Sequence, residues 1–170
     1  MPTPTYTLID SVTLGANAAN VTFSGIPAAG KGDLILTMVL QSNTGVNVFV
    51  KPNGDSTSAN YSYVIMGGLN GSSSGFSANN SGSYSGLFLT AYAGVNSTDR
   101  WQATMQLMDY SATNKQKSTL TRVDSIPQAT SAIAGRWAST AAVTSLEIST
   151  GTANTFSAGS TFHLYQLVSE

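Results

Sequence analysis

The absence of helical periodicity is the feature that most constrains the fold of this chain. No window of about a dozen residues places apolar side chains at helical spacing with helix formers between them. The chain instead contains short runs rich in Val, Ile, Thr, Tyr and Phe, bounded by Gly, Asn, Ser or Pro, which is typical of β-strands. These runs predict ten or eleven strands, near residues 5–14, 20–26, 33–42, 46–52, 60–66, 84–93, 101–109, 117–124, 132–138, 143–149 and 160–168.

Strands that follow one another without helices pair mainly antiparallel, because parallel strands need long crossover connections. We therefore predict an all-β fold in which two antiparallel sheets form a sandwich with jelly-roll topology. Leu34–Leu40 is apolar on both faces, which predicts a strand covered on both sides, whereas Trp101–Met108 alternates and predicts one face in water. At 170 residues the chain is expected to form a single domain, residues 1–170.

One segment interrupts the strand rhythm. Residues 67–86, GGLNGSSSGFSANNSGSYSG, contain no charged residue and consist mainly of Gly, Ser and Asn. This composition predicts a flexible surface loop, whose aromatic residues are Phe76 and Tyr84. Two alternatives remain for it: a mobile loop anchored by Phe76, or a contact loop that orders on a neighbouring subunit or a receptor.

Composition argues against several classes of partner. Only 9% of the residues are charged, the net charge is −1, and the seven Lys and Arg are scattered, so no basic stripe is present for nucleic acid. The longest apolar run is far shorter than the roughly 20 residues of a membrane helix. The N-terminus lacks the pattern of a signal peptide. We expect no nucleic-acid partner, no membrane partner and folding in a cytoplasm, and the near-zero charge favours self-association.

Residues that could carry catalysis are few. The chain has no cysteine and one histidine, His163, whose place in a strand predicts a structural side chain and not a catalytic base. Gly71–Gly75 matches Gly-x-Ser-x-Gly by letter, but it lies in the Gly/Ser-rich segment with no helix after it. The acidic residues are isolated, whereas glycosidases need two neighbouring carboxylates. The sequence therefore predicts a protein that is not an enzyme, with no catalytic, cofactor-binding or metal-binding residues and no cofactor.

The stretch Asn53-Gly54-Asp55 could bind a cation or could be a turn. Ca²⁺ usually takes several carboxylate ligands, and this stretch offers one. Asn-Gly is among the strongest tight-turn dipeptides, and an Asp side chain can accept hydrogen bonds from the backbone that follows it. We predict a turn between two strands.

Four stretches resemble a family of small β-sandwich virion proteins of tailed bacteriophages. They are YTLIDSVTLGANAANVTFSGIPA (6–28), FVKPNGDSTSANYSY (49–63), RWASTAAVTSLEI (136–148) and STFHLYQL (160–167), in the same order as in the family. The chain departs from the family at its end, where relatives often have Leu-Tyr-Gly-Ile and this sequence has Leu164-Tyr165-Gln166-Leu167 and three more residues. The resemblance implies a structural component of the virion and supplies no catalytic residues.

The resemblance and the composition together lead us to expect a capsid decoration (cement) or head-fibre protein on the exterior of the virion, assembled in the host bacterial cytoplasm. Expected partners are further copies of the chain, as a homotrimer, and other virion proteins such as the major capsid protein. The alternative is a tail, baseplate or fibre module that binds host-surface glycans. Sugar rings stack on exposed aromatic side chains, and the candidates for such stacking are Tyr84, Tyr92 and Trp137.

Overall fold

The computed structural model describes residues 5–29, 32–42, 47–69, 72–79, 85–89, 100–125, 129–150 and 154–167. These ranges contain a short 3₁₀ turn at Ser58–Asn60 and twelve strands. The strands are β1 (Tyr6–Thr13), β2 (Asn20–Ser24), β3 (Asp33–Leu40), β4 (Phe49–Pro52), β5 (Tyr61–Leu69), β6 (Ser72–Asn79), β7 (Leu87–Phe88), β8 (Trp101–Leu107), β9 (Lys117–Ser125), β10 (Ala129–Trp137), β11 (Ser145–Ser149) and β12 (Thr161–Leu167). None of the described ranges contains a helix with the length and hydropathy of a membrane span.

The strands form two sheets that pack face to face. The larger sheet has eight strands in the order β1-β12-β3-β8-β9-β10-β5-β6, and the smaller has four in the order β2-β11-β4-β7. Each pairing between these described strands is antiparallel. The predicted all-β sandwich is confirmed.

The topology is a jelly roll with two inserted hairpins. When β1, β2, β3, β4, β7, β8, β11 and β12 are numbered one to eight in chain order, the two sheets read 1-8-3-6 and 2-7-4-5. This is the strand order of a jelly roll built from two Greek keys. The hairpin β5/β6 is inserted after β4 and the hairpin β9/β10 after β8, and both extend the larger sheet beyond β8.

The hydrophobic core lies between the two sheets and is built by alternation. In β8 the odd positions from Trp101 to Leu107 are buried and Gln102 is exposed, as predicted. In β3 the even positions from Leu34 to Leu40 are buried, whereas Ile35 and its odd neighbours are only partly buried. The prediction that β3 is covered on both faces is therefore wrong, because only neighbouring side chains of the same sheet shield its outer face.

Within the segment 67–86, residues 67–69 and 72–79 are strand, which corrects the predicted flexible loop over these residues. Strand β5 runs on to Leu69, and β6 pairs with it so that Phe76 lies opposite Ile65. Backbone hydrogen bonds supply this pairing whatever the side chains are, so a Gly/Ser composition did not reveal it. Gly67 has a specific role, because a Cβ there would lie 2.8 Å from Ser131 Oγ on β10. Residues 70–71 and 80–84 lie outside the described ranges.

Candidate functional site

The larger sheet has a core face and an outer face, and the outer face carries a set of exposed apolar side chains. Met66 is 65% exposed and Tyr6 is 58% exposed. Single apolar residues are common on any protein surface, whereas several on one face mark an interaction surface. The large apolar residues of this kind among those described are Tyr6, Leu8, Val64, Met66, Met108 and Leu120.

The strand register aligns most of these side chains. Residues that lie opposite one another on successive strands form rows that run across the sheet. One row runs from β1 to β5 and consists of Leu8, Tyr165, Ile35, Gln106, Leu120, Ala134 and Val64. We call this row, with Tyr6 and Met108 beside it, the apolar band. None of its residues carries an ionisable carboxylate, ammonium or guanidinium group.

A groove lies beside the apolar band on the same face, where β8, β9, β10 and β5 run side by side. It is a shallow depression, widely open to solvent, with a volume of about 660 Å³. Three of its four strands belong to the inserted hairpins. Its outward-facing side chains include Gln102, Thr104, Arg122, Asp124, Thr130 and Met66, and we call this set the polar groove.

Arg122 and Asp124 are the charged residues of the polar groove. The ion pairs among the described residues join Lys51 to Glu147 and Lys115 to Asp109, so the exposed Arg122 guanidinium has no described carboxylate partner. The Asp124 Oδ1 atom accepts a hydrogen bond of 2.8 Å from the backbone N–H of Gln102. The polar groove therefore combines a fork of donors that has no ion-pair partner among the described residues with a carboxylate that its neighbouring strand holds in place.

The stretch Asn53-Gly54-Asp55 is the predicted turn. Asn53 has φ of 52° and Gly54 has φ of 67°, and two successive positive values are characteristic of tight hairpin-type turns. The Asn53 side chain fastens the turn to the chain before β11: its Nδ2 donates to the carbonyl of Ala142 (2.8 Å) and its Oδ1 accepts from the N–H of Thr144 (2.8 Å). This stretch is a structural corner of the molecule.

Asp55 extends the corner to β10. Its Oδ2 accepts hydrogen bonds from Trp137 Nε1 and Asn60 Nδ2, both 2.7 Å long, and its Oδ1 accepts from the backbone N–H of Thr57 at 2.9 Å. Burial raises the pKa of the Asp55 carboxyl, but these hydrogen bonds outweigh burial and the pKa lies below its ordinary value of 3.8. The Tyr61 hydroxyl also donates to the Asp55 carbonyl, at 2.6 Å.

The predicted glycan-stacking role of Trp137 is wrong. Its ring is 2% exposed, and its indole N–H is committed to Asp55, so no sugar ring can reach its face. Tyr84 and Tyr92 lie outside the described residues. Phe76 is placed on the backbone of β6, and its side chain lies outside the described part of the chain, so its role as a contact residue stays a prediction.

His163 lies within a strand, β12, as predicted, and its side chain is on the outer face of the sheet. It is half-buried, with Ser11 and Thr37 opposite it on the neighbouring strands and the Tyr165 ring centroid at 6.5 Å. Among the residues that the structure describes, no three His, Cys, Asp or Glu side chains come together in a way that could hold a metal ion.

Lys117 is a buried charge that the sequence reasoning missed. It is 0% exposed, and its Nζ donates to the carbonyls of Ala112 (2.6 Å), Lys115 (3.1 Å) and Thr140 (3.5 Å). Burial lowers the pKa of the ammonium group. Alternation offered a signal, because Lys117 has the same strand parity as the buried Thr121 and Val123. The side chain joins the turn after β8 to the segment before β11.

The fold and these sites define a jelly-roll sandwich with an open, partly apolar outer sheet face. No protein-family model and no curated protein matches the chain. Among solved structures, it is similar to the alginate lyase Aly36B, at 7% identity and TM-score 0.33, over 94% of this chain and 80% of that chain. It is also similar to Scytalido-glutamic peptidase, at 13% identity and TM-score 0.21, over 91% of this chain and 66% of that chain. Likenesses this distant carry no argument about activity.

Proposed function

We propose that this protein is a non-enzymatic structural component of a tailed-bacteriophage virion, a capsid decoration or head-fibre protein on the exterior of the particle. The observation that carries the proposal is the apolar band on the outer sheet face. Assembly proteins expose such surfaces for other subunits to cover. Jelly rolls are common in viral coats, and the resemblance of four sequence stretches to phage virion proteins supports the same class.

The occupant that we propose for the apolar band is a second copy of this chain. The side chains of the band are uncharged, and the carboxylate beside it, Asp33, already accepts hydrogen bonds from Gln106 Nε2 (2.6 Å) and the backbone N–H of Asp109 (2.8 Å). Two bands can therefore meet without leaving an unpaired ion between them. The band crosses seven strands and covers about 400 Å² per copy, roughly half the share of one partner in a standard interface. Such a contact is weak between two free copies, and repetition on a particle strengthens it through multivalency.

Symmetry links the mode of contact to the size of the oligomer. Two bands that face each other obey two-fold symmetry, whereas the expected trimer requires the band to pack on a different surface of its neighbour. Sedimentation of the purified protein up to about millimolar concentration measures both the association and its stoichiometry. A protein that stays monomeric over this range would contradict self-association through the band.

The double variant Val64→Thr/Leu120→Thr tests the band directly. Threonine keeps the strand preference of both positions and removes apolar surface from the contact, so we expect the association constant to fall about tenfold or more. Met66→Thr is the matched control, because Met66 is exposed on the same face but lies in the polar groove. Equal weakening by both variants would show that the band is not the contact surface.

The virion assignment has its own test. Cryo-EM of intact phage particles should show density for this fold on the exterior of the capsid, in repeated copies. Density confined to the tail or baseplate would support the alternative, a module that binds host-surface glycans, and the polar groove is the observation that favours that alternative. Phage particles that do not contain the protein would overturn both the capsid assignment and the tail assignment.

We expect His163→Ala to leave folding and particle assembly intact. The half-buried imidazole has Ser11 and Thr37 opposite it and no acidic residue among these cross-strand neighbours, so the change removes little, with an effect on unfolding within about 0.5 kcal/mol. Urea unfolding and particle incorporation measure these outcomes. Cleavage of a glycan or peptide that the substitution abolishes would contradict the non-enzymatic assignment.

A further inference from the structure

We propose that the polar groove binds an uncharged oligosaccharide. This inference goes beyond the structural role of the protein and does not depend on self-association through the apolar band. It rests on the arrangement of hydrogen-bonding side chains in the groove, on their charge balance and on the apolar groups between them.

The register places donors and acceptors side by side in two rows. Thr104 lies opposite Arg122 in one row, and Gln102 and Thr130 flank Asp124 in the next. Neighbouring strands are about 4.8 Å apart, and positions two residues apart along a strand are about 6.6 Å apart. Guanidinium is a pure donor, carboxylate a pure acceptor, and amide and hydroxyl groups are both. This mixture matches sugar hydroxyls, each of which donates and accepts.

The charge balance favours an uncharged ligand. Arg122 and Asp124 are two positions apart on one strand, so their charges offset each other within the groove. The net charge of the chain is −1, which provides no long-range field to attract a polyanion. Because the Gln102 backbone N–H already holds Asp124 Oδ1, the carboxylate is oriented before a ligand arrives, which reduces the entropic cost of binding.

Apolar groups complete the groove. The Met66 side chain is 65% exposed at one end, and Ala132 lies between Met66 and Arg122 in the cross-strand register. Both can pack against the C–H face of a sugar ring. The groove crosses four strands, about 14 Å between the outer two, which is longer than one ring and suits a short linear chain.

NMR titration of the ¹⁵N-labelled protein tests the proposal. The probes are linear neutral oligosaccharides of glucose and of xylose, with oligomers of uronic acid as the charged comparison. We expect neutral oligosaccharides to shift the amide signals of Thr104, Arg122 and Thr130, and the shifts to persist in about 0.5 M NaCl. Arg122→Gln should weaken binding about tenfold or more, since it removes a charge-assisted donor.

Arg136→Gln is the matched control. Arg136 lies on the same face and bears the same charge, but it is outside the groove and donates to Ser62 Oγ (3.2 Å) and Gln116 Oε1 (3.4 Å). The Arg136→Gln variant should bind the oligosaccharides as the wild type does. The unchanged amide spectrum outside the groove verifies that each variant is folded.

Three results would overturn the proposal. The first is the absence of shifts with every neutral oligosaccharide at about 10 mM. The second is binding of uronic-acid oligomers alone, abolished by salt, which would indicate ion exchange. The third is a loss of self-association in Arg122→Gln without any response to sugar, which would make the groove part of a contact between copies. Sedimentation of Arg122→Gln, compared with that of Val64→Thr/Leu120→Thr, shows whether copies associate through the groove or through the apolar band.

Discussion

Replacing Asp55 with alanine is expected to lower the free energy of unfolding by about 3 kcal/mol. The change leaves the buried indole N–H of Trp137 without an acceptor and removes the acceptor of the Asn60 side chain. Leaving a buried donor unpaired costs about 1–3 kcal/mol, and more where the lost partner is charged. Urea unfolding monitored by tryptophan fluorescence measures the loss.

Two comparisons make the Asp55 result specific. Asp109→Asn removes an exposed carboxylate that pairs with Lys115 at 2.8 Å, and an exposed pair contributes little, so its effect should stay below about 1 kcal/mol. In a double-mutant cycle, Asp55→Ala and Trp137→Phe should be strongly non-additive, because both remove the same hydrogen bond. Additive effects would show that the carboxylate and the indole do not act together.

The same carboxylate predicts a pH dependence. Its pKa is lower in the folded protein than the ordinary value of 3.8, so the unfolded chain takes up the proton first as the pH falls. The stabilisation from Asp55 is therefore complete above pH 3.8 and is lost as the pH falls towards and through the folded-state pKa. Asp55→Ala should show a shallower loss of stability in this acid range than the wild type does. Parallel acid profiles for the two proteins would contradict this assignment.

Replacing Lys117 with alanine is expected to cost about 3 kcal/mol, through two separable contributions. The buried aliphatic stem leaves a cavity, and the carbonyls of Ala112, Lys115 and Thr140 lose their common donor. Lys117→Met keeps most of the stem and removes the ammonium group, so it should cost only about 1–2 kcal/mol. Chemical unfolding of the two variants separates the contributions.

The loss of stability in the two Lys117 variants should also be local. Lys117 joins residues 112–115 to Thr140, so hydrogen exchange in both variants should accelerate at these segments more than in the core strands. Lys115→Met, which removes an exposed ammonium two residues away, is the matched control and should leave exchange there unchanged. A Lys117→Met protein as stable as the wild type, with unchanged exchange, would show that the carbonyls do not need the donor.

Alternation within strands was the predictable part of this structure. The alternation of Trp101–Leu107 predicted its buried face, and Asn53-Gly54 predicted a turn. Both features depend on residues that are neighbours along the chain. Strand β6 was not predictable from composition, since Ser and Gly hold it through the backbone. Lys117 was missed for a different reason: its burial depends on carbonyls of Ala112 and Thr140 that only the folded chain brings together.

The polar groove was beyond sequence reasoning altogether. Gln102, Arg122, Thr130 and Met66 come from four strands, and the register that brings them together is a property of the completed sheet. The aromatic residues that the sequence favoured for sugar binding include Trp137, which burial removes from any such role. Strand alternation alone could not distinguish Trp137 from an exposed residue, because the facing sheet decides which parity is covered.

The two inserted hairpins have an inward face that packs in the core and an outward face that is open to solvent. On β9, β10 and β5 the inward positions, such as Ile133 and Ile65, are buried in the core, whereas outward positions such as Arg122 and Thr130 are exposed. Substitutions at the outward positions therefore cost little stability. The outward face of the hairpins can therefore accept new side chains, whereas the inward positions that belong to the core are constrained by the packing of the two sheets.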